Sequence, residues 1–303
     1  MKEISLCLLQ EEADLEHFLI ESFHLSKNKI KNSDLSKKYL KKALRKGDTI
    51  SLPINLINHL KINPDYKGEQ IEILHQDRDL LVLNKPMNIH CHPLSYDEHD
   101  NALSFLRAKN FFSFLNLNQN NYDRGLLHRL DFETSGVLML TSNIHLYDEV
   151  RMNPKLMKKK QYLALVRGKF DADGEWIHCL EASGTKGRKQ KVVSNSDAVA
   201  KLSVQLKYFD PVLNVSLISV HLDTGLRHQI RVQMAELGFP LIGDTLYGGE
   251  EAQRLFLHSY AYQIEWNSKL LEFKAKHAPL FLDFLHQDSG LHVLGDELLV
   301  RKG

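Results

Sequence analysis

Residues 125–136 read GLLHRLDFETSG, a cluster of polar and charged side chains between two apolar segments. The apolar run VLML follows directly at 137–140 and predicts a strand. Several ionisable groups therefore stand at the end of a strand, a common place for binding and catalytic residues. Taken alone, these residues favour a simpler interpretation, in which Asp131 caps a turn and pairs with Arg129.

Short apolar or alternating runs around this cluster predict further strands at 80–83, 162–166, 201–208 and 215–222. Helical patterns occur at 143–152, 227–237 and 279–286. Because these helices do not alternate regularly with the strands, the order predicts an α+β fold with a mixed, largely antiparallel sheet. The 303 residues are enough for about two domains.

The composition, with 43% apolar and 25% charged residues, is that of a globular protein and excludes disordered and fibrous classes. The longest apolar run has five residues, at 162–166, which predicts neither a membrane span nor a signal peptide. The three cysteines, at 7, 91 and 179, are odd in number and far apart, which predicts reduced thiols. We therefore expect a cytoplasmic protein, and we expect it to be a monomer.

The most basic segment is 26–46, which holds nine Lys or Arg residues against one acid, Asp34. Its apolar residues fall on one helical face and its lysines on the other, so the spacing predicts a basic helix. Such a face is often only solvated surface, but nine cations against one acid favour phosphate binding. The candidate contacts are Lys37, Lys38, Lys41, Lys42 and Arg45.

Two further segments are basic, although the net charge of the chain is only +1. Lys158, Lys159 and Lys160 lead into a predicted strand, and Arg188 and Lys189 lie in a glycine-containing loop. A chain with so little net charge cannot hold a polyanion by overall attraction, so local patches must do so. The three basic segments together predict a positively charged groove.

The cluster at 128–136 resembles the signature H-R-L-D-x-x-T-S-G of the RluA class of pseudouridine synthases, with every fixed position present. The motifs DLLVLNKP at 79–86 and TGLRHQIRV at 224–232 match the same family, and GFPLIGDTLYG continues the second one at 238–248. This resemblance covers residues 71–286. It implies an isomerase that converts RNA uridines to pseudouridine without a cofactor, with large-subunit ribosomal RNA as the expected target.

The resemblance also implies roles for three residues in the reaction. Asp131 would be the carboxylate that acts on the sugar or the ring, as nucleophile or as base. Arg231 would be the guanidinium that keeps this carboxylate ionised, because a nearby opposite charge favours the charged form. Tyr162 would pack its ring against the uracil. Without the motifs, Arg231 would be an ordinary helix arginine and Tyr162 an ordinary core residue.

Four more residues match positions that the family uses around its substrate. Arg129 would fill the space left by a nucleotide that turns out of the RNA, or would steady that nucleotide. His128 is expected to orient the loop rather than to take part in the chemistry. Lys85 and Pro86 match a Lys-Pro pair that forms the floor of the pocket.

Residues 15–73 resemble the small alpha-L RNA-binding domain of ribosomal proteins and RNA-modifying enzymes, in which two helices, the second basic, precede short strands. We therefore predict an RNA-binding domain at 1–73 and a catalytic domain at 74–303. The tail at 288–303 matches no part of either family.

The chain departs from the RluA pattern at two places. Asn88 stands where the family has glycine, and asparagine tolerates the left-handed backbone that such a turn needs. Leu226 replaces an arginine, and an arginine, Arg227, stands one position later. Substrate contacts near this second departure are therefore expected to differ from those of the family.

Other functions remain open at this stage. The target could be transfer RNA, or the chain could be a non-catalytic RNA-binding or ribosome assembly factor that keeps the fold. A metal site at His90 and His92 lacks further ligands at a standard spacing, so we expect no metal. A hydrolase triad of Ser135, His128 and Asp131 lacks the glycines of a nucleophile elbow.

Overall fold

A computed structural model describes residues 3–23, 25–56, 61–119, 121–185, 189–276, 284–285, 291–294 and 297–300. The chain divides into two compact units, 1–68 with 90–124 and 69–89 with 125–303. The predicted boundary after residue 73 did not anticipate that 90–124 belongs to the first unit. The assignment of 1–73 to RNA binding and of 74–303 to catalysis stays a prediction.

The first unit combines a two-stranded antiparallel sheet with short helices. Leu15, Leu19, Ile50 and Leu52 lie in its buried core. The strands are β1 (Glu3–Cys7) and β2 (Thr49–Pro53), and the helices are α1 (Leu15–Phe23), α2 (Lys27–Lys31), α3 (Lys37–Leu40), α4 (Ala102–Ala108) and α5 (Phe112–Leu115).

The basic segment forms two short helices, α2 and α3, so the expectation of one helix through Leu44 is wrong. Ser36 precedes the second helix, and its side chain accepts the Tyr39 N–H and caps the start of α3. After Leu40 the backbone turns, and Leu44 exchanges hydrogen bonds with Glu12 that a continued helix would have used. The candidate contacts Lys41, Lys42 and Arg45 consequently lie beyond the helix.

The second unit is built on a ten-stranded sheet in the order β3-β4-β5-β11-β6-β10-β9-β7-β8, with β12 paired to β11. These strands are β3 (Glu72–Gln76), β4 (Leu80–Lys85), β5 (Ser135–Thr141), β6 (Met157–Arg167), β7 (Gly174–Ser183), β8 (Lys189–Val193), β9 (Val199–Asp210), β10 (Val215–Leu222), β11 (Leu257–Trp266) and β12 (Lys269–Lys274). Two further strands, β13 (Leu291–Leu294) and β14 (Glu297–Val300), pair with each other.

Among the described strands of this sheet only β5 and β11 pair in parallel, which confirms the predicted α+β fold with a mixed, largely antiparallel sheet. The unit also contains two helices, α6 (Ile144–Met152) and α7 (Gln229–Glu236), close to their predicted positions. Most of the predicted helix at 279–286 lies outside the described residues. In the described part of the chain, no helix has both the length and the apolar character needed to cross a bilayer.

The parallel contact between β5 and β11 explains a glycine of the signature. Gly136 has φ +112°, and a Cβ at this position would overlap the backbone of Ser259 on β11. Glycine alone combines this backbone angle with so close an approach. Gly136 thus lets β5 begin directly beside β11, which fixes the position of the loop that carries Asp131.

Candidate active site

Asp131 lies on the loop that leads into β5, and its side chain is 25% exposed. The loop turns tightly, because the Thr134 N–H donates to Asp131 O at 3.2 Å. Lys85 holds the loop in place: its side chain is completely buried, and its ammonium donates to Pro86 O and Ile89 O, both at 2.9 Å, and to Phe132 O at 3.3 Å. A fixed backbone therefore presents the carboxylate.

Arg231 projects from α7 and is 3% exposed. Its Nε and Nη2 donate to the two oxygens of Asp244 at 2.8 and 2.7 Å, which makes a bidentate, buried ion pair. Its remaining nitrogen, Nη1, lies 3.3 Å from Glu133 Oε2 and 3.8 Å from Asp131 Oδ2. The fold thus brings Asp131 and Arg231 together from distant parts of the sequence.

Burial raises the pKa of Asp131 to about 6, against the lowering effect of Arg231. Glu133 raises this pKa further, whereas Arg227 and Lys85 lower it. The guanidinium therefore favours the charged form as expected, but burial has the larger effect, and two of the guanidinium donors bind Asp244. At about pH 7 the carboxylate is still mostly ionised.

His228 and Tyr247 lie on another side of Asp131. His228 stands at the start of α7 with φ 54°, in the left-handed region. Its Nδ1 lies 2.9 Å from the Tyr247 hydroxyl, and its Nε2 lies 3.9 Å from Asp131 Oδ1. Burial, together with Arg231 and Arg227, lowers the pKa of His228 to about 4, so the imidazole is neutral at physiological pH.

A close backbone approach holds Asp244 opposite Arg231. The preceding residue, Gly243, has φ +84°, and a Cβ there would overlap the carbonyl of Arg254. The backbone N–H groups of Tyr247 and Gly249 both donate to Asp244 O, at 3.1 and 2.9 Å. The GDTLYG motif is therefore a compact turn that presents a buried carboxylate to Arg231.

Tyr162 lies on β6, and the sheet register relates it to the Asp131 loop. Ser259 on β11 pairs with Gly136 on one side and with Tyr162 on the other, so Tyr162 is two strand spacings, or about 10 Å, from the start of β5. The ring is buried, and its hydroxyl lies 2.6 Å from the hydroxyl of Tyr262.

His128 lies against Tyr262 and is partly buried. Its ring stacks on Tyr262 with centroids 4.3 Å apart, and its Nε2 accepts the Met139 N–H at 3.3 Å. Burial lowers its pKa to about 3, with a smaller contribution from the Lys160 charge. The imidazole is therefore neutral and bound to the strand backbone, and its role in orienting the loop stays a prediction. The side chain of Arg129, the next residue, is exposed.

The lysines before Tyr162 differ from one another. Lys158 pairs with Glu265 at 2.7 Å and Lys159 with Glu272 at 3.4 Å, so nearby acids partly neutralise both. Lys160 is half-buried, and burial lowers its pKa. Lys160 and Tyr162 lie on the same face of β6, because side chains alternate along a strand.

The remaining basic candidates are surface residues or lie outside the described chain. Lys41 pairs with Glu16 at 2.8 Å and with Asp14 at 3.3 Å. Lys189 donates to Leu246 O at 2.9 Å, and Arg188 lies outside the described residues. Exposed side chains are found at Lys37, Lys38, Lys42 and Arg45.

Both departures from the family pattern have a structural explanation. Asn88 has φ 59°, so asparagine does adopt the left-handed backbone of this turn. Leu226 is partly buried and packs its apolar side chain against the cluster of Leu180, Ala200 and Val232. Arg227 is exposed, and its charge lowers the pKa of Asp131.

The alternative chemistries find little support in the geometry. Ser135 Oγ lies 2.9 Å from His258 Nδ1 and accepts from Arg254 at 2.6 Å, all of them buried, so its histidine neighbour is not His128. His90 Nδ1 lies 2.6 Å from Glu98 Oε1. Within the described ranges, no group of three or more His, Cys, Asp or Glu side chains is placed to hold a metal ion.

Sequence reasoning did not single out Glu133, His228, Asp244 or Tyr247. The last three stand inside the quoted motifs at 224–232 and 238–248, so a signal was present, but nothing in one sequence says which motif residues meet Asp131. Glu133 occupies a variable position of the signature and carried no signal.

Comparison with known proteins agrees with this geometry. Residues 79–236 match the family model described as RNA pseudouridylate synthase. A protein of Borreliella burgdorferi named ribosomal large subunit pseudouridine synthase D is 28% identical over 92% of this chain and 91% of its own length. Its namesake from Zymomonas mobilis is 31% identical over 74% of this chain and 67% of its own length.

A relative from Helicobacter pylori, named as an uncharacterized RNA pseudouridine synthase, is 29% identical over 91% of this chain and 89% of its own length. Among solved structures, human RNA pseudouridylate synthase domain containing 1 matches with a TM-score of 0.55 and 26% identity, over 71% of this chain and 88% of that one. The chain therefore belongs to the RNA pseudouridylate synthase family, in its RluA class, and is an isomerase that converts uridine to pseudouridine in RNA.

Proposed function

We propose that this isomerase acts on uridines of large-subunit ribosomal RNA and that Asp131 carries the reaction. Relatives that align with most of the chain are named as ribosomal large subunit pseudouridine synthases, which supports this target. Ribosomal RNA as partner, action as a monomer and a cytoplasmic location belong to the same proposal.

The observation that carries the proposal is the setting of the Asp131 carboxylate. It is partly exposed, whereas the groups that hold it, Lys85 and Arg231, are buried. A pKa of about 6 leaves it ionised at neutral pH and yet close to the working pH, which suits a group that must gain or release a proton or a covalent partner.

The reaction breaks the bond between the uracil nitrogen and the sugar, turns the base and rejoins it through carbon. A carboxylate that attacks the sugar or the ring, or removes a proton, changes charge as it does so. Arg231 Nη1 lies 3.8 Å from Asp131 Oδ2 and can stabilise the negative charge whenever the carboxylate is ionised. The ion pair with Asp244 holds the guanidinium in this position.

Tyr162 and Arg129 are proposed to handle the nucleotide once it has turned out of the RNA. Unpairing and unstacking cost a few kcal/mol, which an aromatic ring under the base and a cation in the vacated space can offset. Tyr162 lies about two strand spacings from the Asp131 loop, and Arg129 is exposed two residues before Asp131.

Binding of the surrounding RNA is assigned to the basic residues of both units. Lys37, Lys38, Lys42 and Arg45 are exposed and occur in the segment that resembles an alpha-L domain. Lys160 is the best candidate of its group near the site, since Lys158 and Lys159 already have carboxylate partners. Lys189 and Arg188 complete the proposed set.

The test compares Asp131→Asn with the wild type on protein-free large-subunit ribosomal RNA. Pseudouridine is quantified by mass spectrometry of nuclease digests, and RNA affinity is measured in parallel. We expect isomerisation to be abolished and affinity to stay within a few-fold, as for a residue that acts on the transition state. Asp148→Asn, an exposed change on α6, is the matched control.

Retained turnover in Asp131→Asn would exclude this carboxylate as the catalytic group. The target is tested separately, by mapping pseudouridines in RNA from cells with and without the gene. Loss of a pseudouridine from transfer RNA alone would reject ribosomal RNA as the substrate while leaving the role of Asp131 standing.

A further inference from the structure

His228 joins two groups that are otherwise separate, the Asp131 carboxylate and the turn at 243–248. One ring nitrogen, Nδ1, lies 2.9 Å from the Tyr247 hydroxyl, and the other, Nε2, lies 3.9 Å from Asp131 Oδ1. The Tyr247 hydroxyl also accepts the backbone N–H of Gln190 at 2.8 Å. Hydrogen-bond distances thus connect β8 to His228, whose other nitrogen faces the carboxylate.

The contacts favour one placement of the protons. A neutral imidazole carries one N–H, which can be on either nitrogen. Tyr247 accepts a hydrogen bond from Gln190 and can donate its own proton to His228 Nδ1, an arrangement that places the imidazole proton on Nε2. The other tautomer would point a lone pair of Nε2 at the negatively charged Asp131, which accepts but cannot donate.

Burial and the nearby cations keep the imidazole neutral. Burial lowers the pKa of His228 most, Arg231 and Arg227 lower it further, and Glu133 and Asp244 raise it. Burial also raises the pKa of Tyr247, so the phenol keeps the proton that it gives to His228.

We propose that His228 is a positioning residue for Asp131, which it orients through an Nε2–H directed at Oδ1 while Arg231 faces Oδ2. This inference rests on the proposed role of Asp131. At 3.9 Å the contact is longer than a hydrogen bond, and such contacts in a free enzyme commonly shorten when substrate closes the site. Two opposed contacts, one on each oxygen, would then fix the plane of the carboxylate.

The rival explanation is structural, since His228 starts α7 with a left-handed backbone. Two substitutions separate the explanations. His228→Asn keeps a polar atom near Nδ1 and suits φ 54°, but it cannot reach Asp131. His228→Gln places an amide N–H near the position of Nε2, but it is strained by the same backbone angle.

A structural role and a positioning role therefore predict opposite orders. If His228 orients Asp131, His228→Gln should retain most of the single-turnover rate. His228→Asn should then lose roughly ten- to a hundredfold, the size expected for a lost hydrogen bond to a charged group. RNA affinity should change little in both. A faster rate for His228→Asn than for His228→Gln, in the order of their thermal stabilities, would overturn the proposal.

A second measurement does not depend on turnover. The ¹⁵N NMR spectrum of the free protein at about pH 7 reports which ring nitrogen carries the proton, and the His228 signals are those lost in His228→Asn. We expect a protonated Nε2 and an unprotonated Nδ1. Tyr247→Phe should introduce the other tautomer and slow turnover, whereas the matched change Tyr147→Phe on α6 should do neither.

A protonated Nδ1 in the wild-type protein would overturn the assignment, whatever the enzyme does. A wild-type protein that shows the expected tautomer but makes no pseudouridine would instead reject the proposed function and leave the hydrogen-bond path intact. The two failures are therefore distinguishable.

Discussion

Removing the charge of Glu133 should make the enzyme more active in acid. Glu133 and Asp131 share Arg231 Nη1, at 3.3 and 3.8 Å, and Glu133 helps to raise the pKa of Asp131. Glu133→Gln removes the repulsion between the carboxylates and frees Nη1 for Asp131. Both effects favour ionised Asp131, so its pKa should fall.

The distances give the size of this shift. Two oxygens that approach the same nitrogen at 3.3 and 3.8 Å are at most about 7 Å apart, where like charges repel by about 0.6 kcal/mol in water and about 2.4 kcal/mol at an effective dielectric of about 20. Glu133 is 41% exposed, so screening by solvent favours the lower half of this range. The pKa of Asp131 should fall by about 0.5 to 1 unit.

The assay is the single-turnover rate of pseudouridine formation at saturating RNA, measured across pH. With a pKa of about 6, roughly a tenth of Asp131 is ionised at about pH 5, so the variant should be roughly 2.5- to 5.5-fold faster there and unchanged at about pH 7.5. Glu149→Gln, an exposed change on α6, should leave the whole profile in place. This account would be refuted if the acidic limb of the pH–rate profile of Glu133→Gln coincided with that of the wild type or lay at higher pH.

Three further changes probe the same structure. Asp244→Asn breaks the buried pair with Arg231 and should lower the free energy of unfolding by about 3 kcal/mol, measured by denaturant titration; an unchanged midpoint would contradict it. Asp131→Asn should stabilise the protein, because a folded-state pKa raised from 3.8 to about 6 makes ionisation unfavourable to folding. The ionised Asp131 therefore destabilises the folded protein fully above about pH 6 and not at all below about pH 3.8. The upper limit of this destabilisation is about 3 kcal/mol, and the true value is smaller because the side chain is 25% exposed to solvent. The melting temperature should therefore rise at about pH 7 and not at about pH 4. Neutralising the lysines at 37, 38, 41 and 42 should flatten the salt dependence of RNA affinity, by no more than about 4 in slope, and an equal slope would show that they do not contact phosphate.

The elements that were predictable from the sequence are those whose pattern reflects burial directly. Residues 135–141 are buried at every position, and the apolar run at 137–140 indicated this strand correctly. The helix α6 follows Asn143, whose side chain accepts N–H groups of the first turn, as a capping residue should.

Other elements carried no such pattern. β7 has only one buried residue, Leu180, and β12 alternates between exposed and intermediate positions, so neither shows a clear apolar face. The end of α3 at Leu40 accompanies pairing between Leu44 and Glu12, which are 32 positions apart, and local periodicity does not register such a contact.

The site shows the same division. The motifs identified Asp131 and Arg231, but the balance of forces on the carboxylate depends on distances between elements. Burial has a larger effect on the pKa of Asp131 than the guanidinium, two of whose donors bind Asp244. Glu133 acts against Arg231 from a contact across 98 positions. A sequence shows which charges are present, and only the fold shows how one cation is shared among three acids.

This sharing also explains why the cation should be an arginine. Arg231 uses Nε and Nη2 to bind Asp244 in a bidentate pair, and Nη1 still faces Glu133 and Asp131. A lysine ammonium is a single point charge without this planar fork, so a contact with Asp244 would compete with one to Asp131. A guanidinium fixed by a buried carboxylate instead provides a stationary charge. This charge lowers the pKa of Asp131 by less than burial raises it, so the pKa is about 6. At neutral pH the carboxylate is therefore ionised but still close to its pKa, which suits a reactive group.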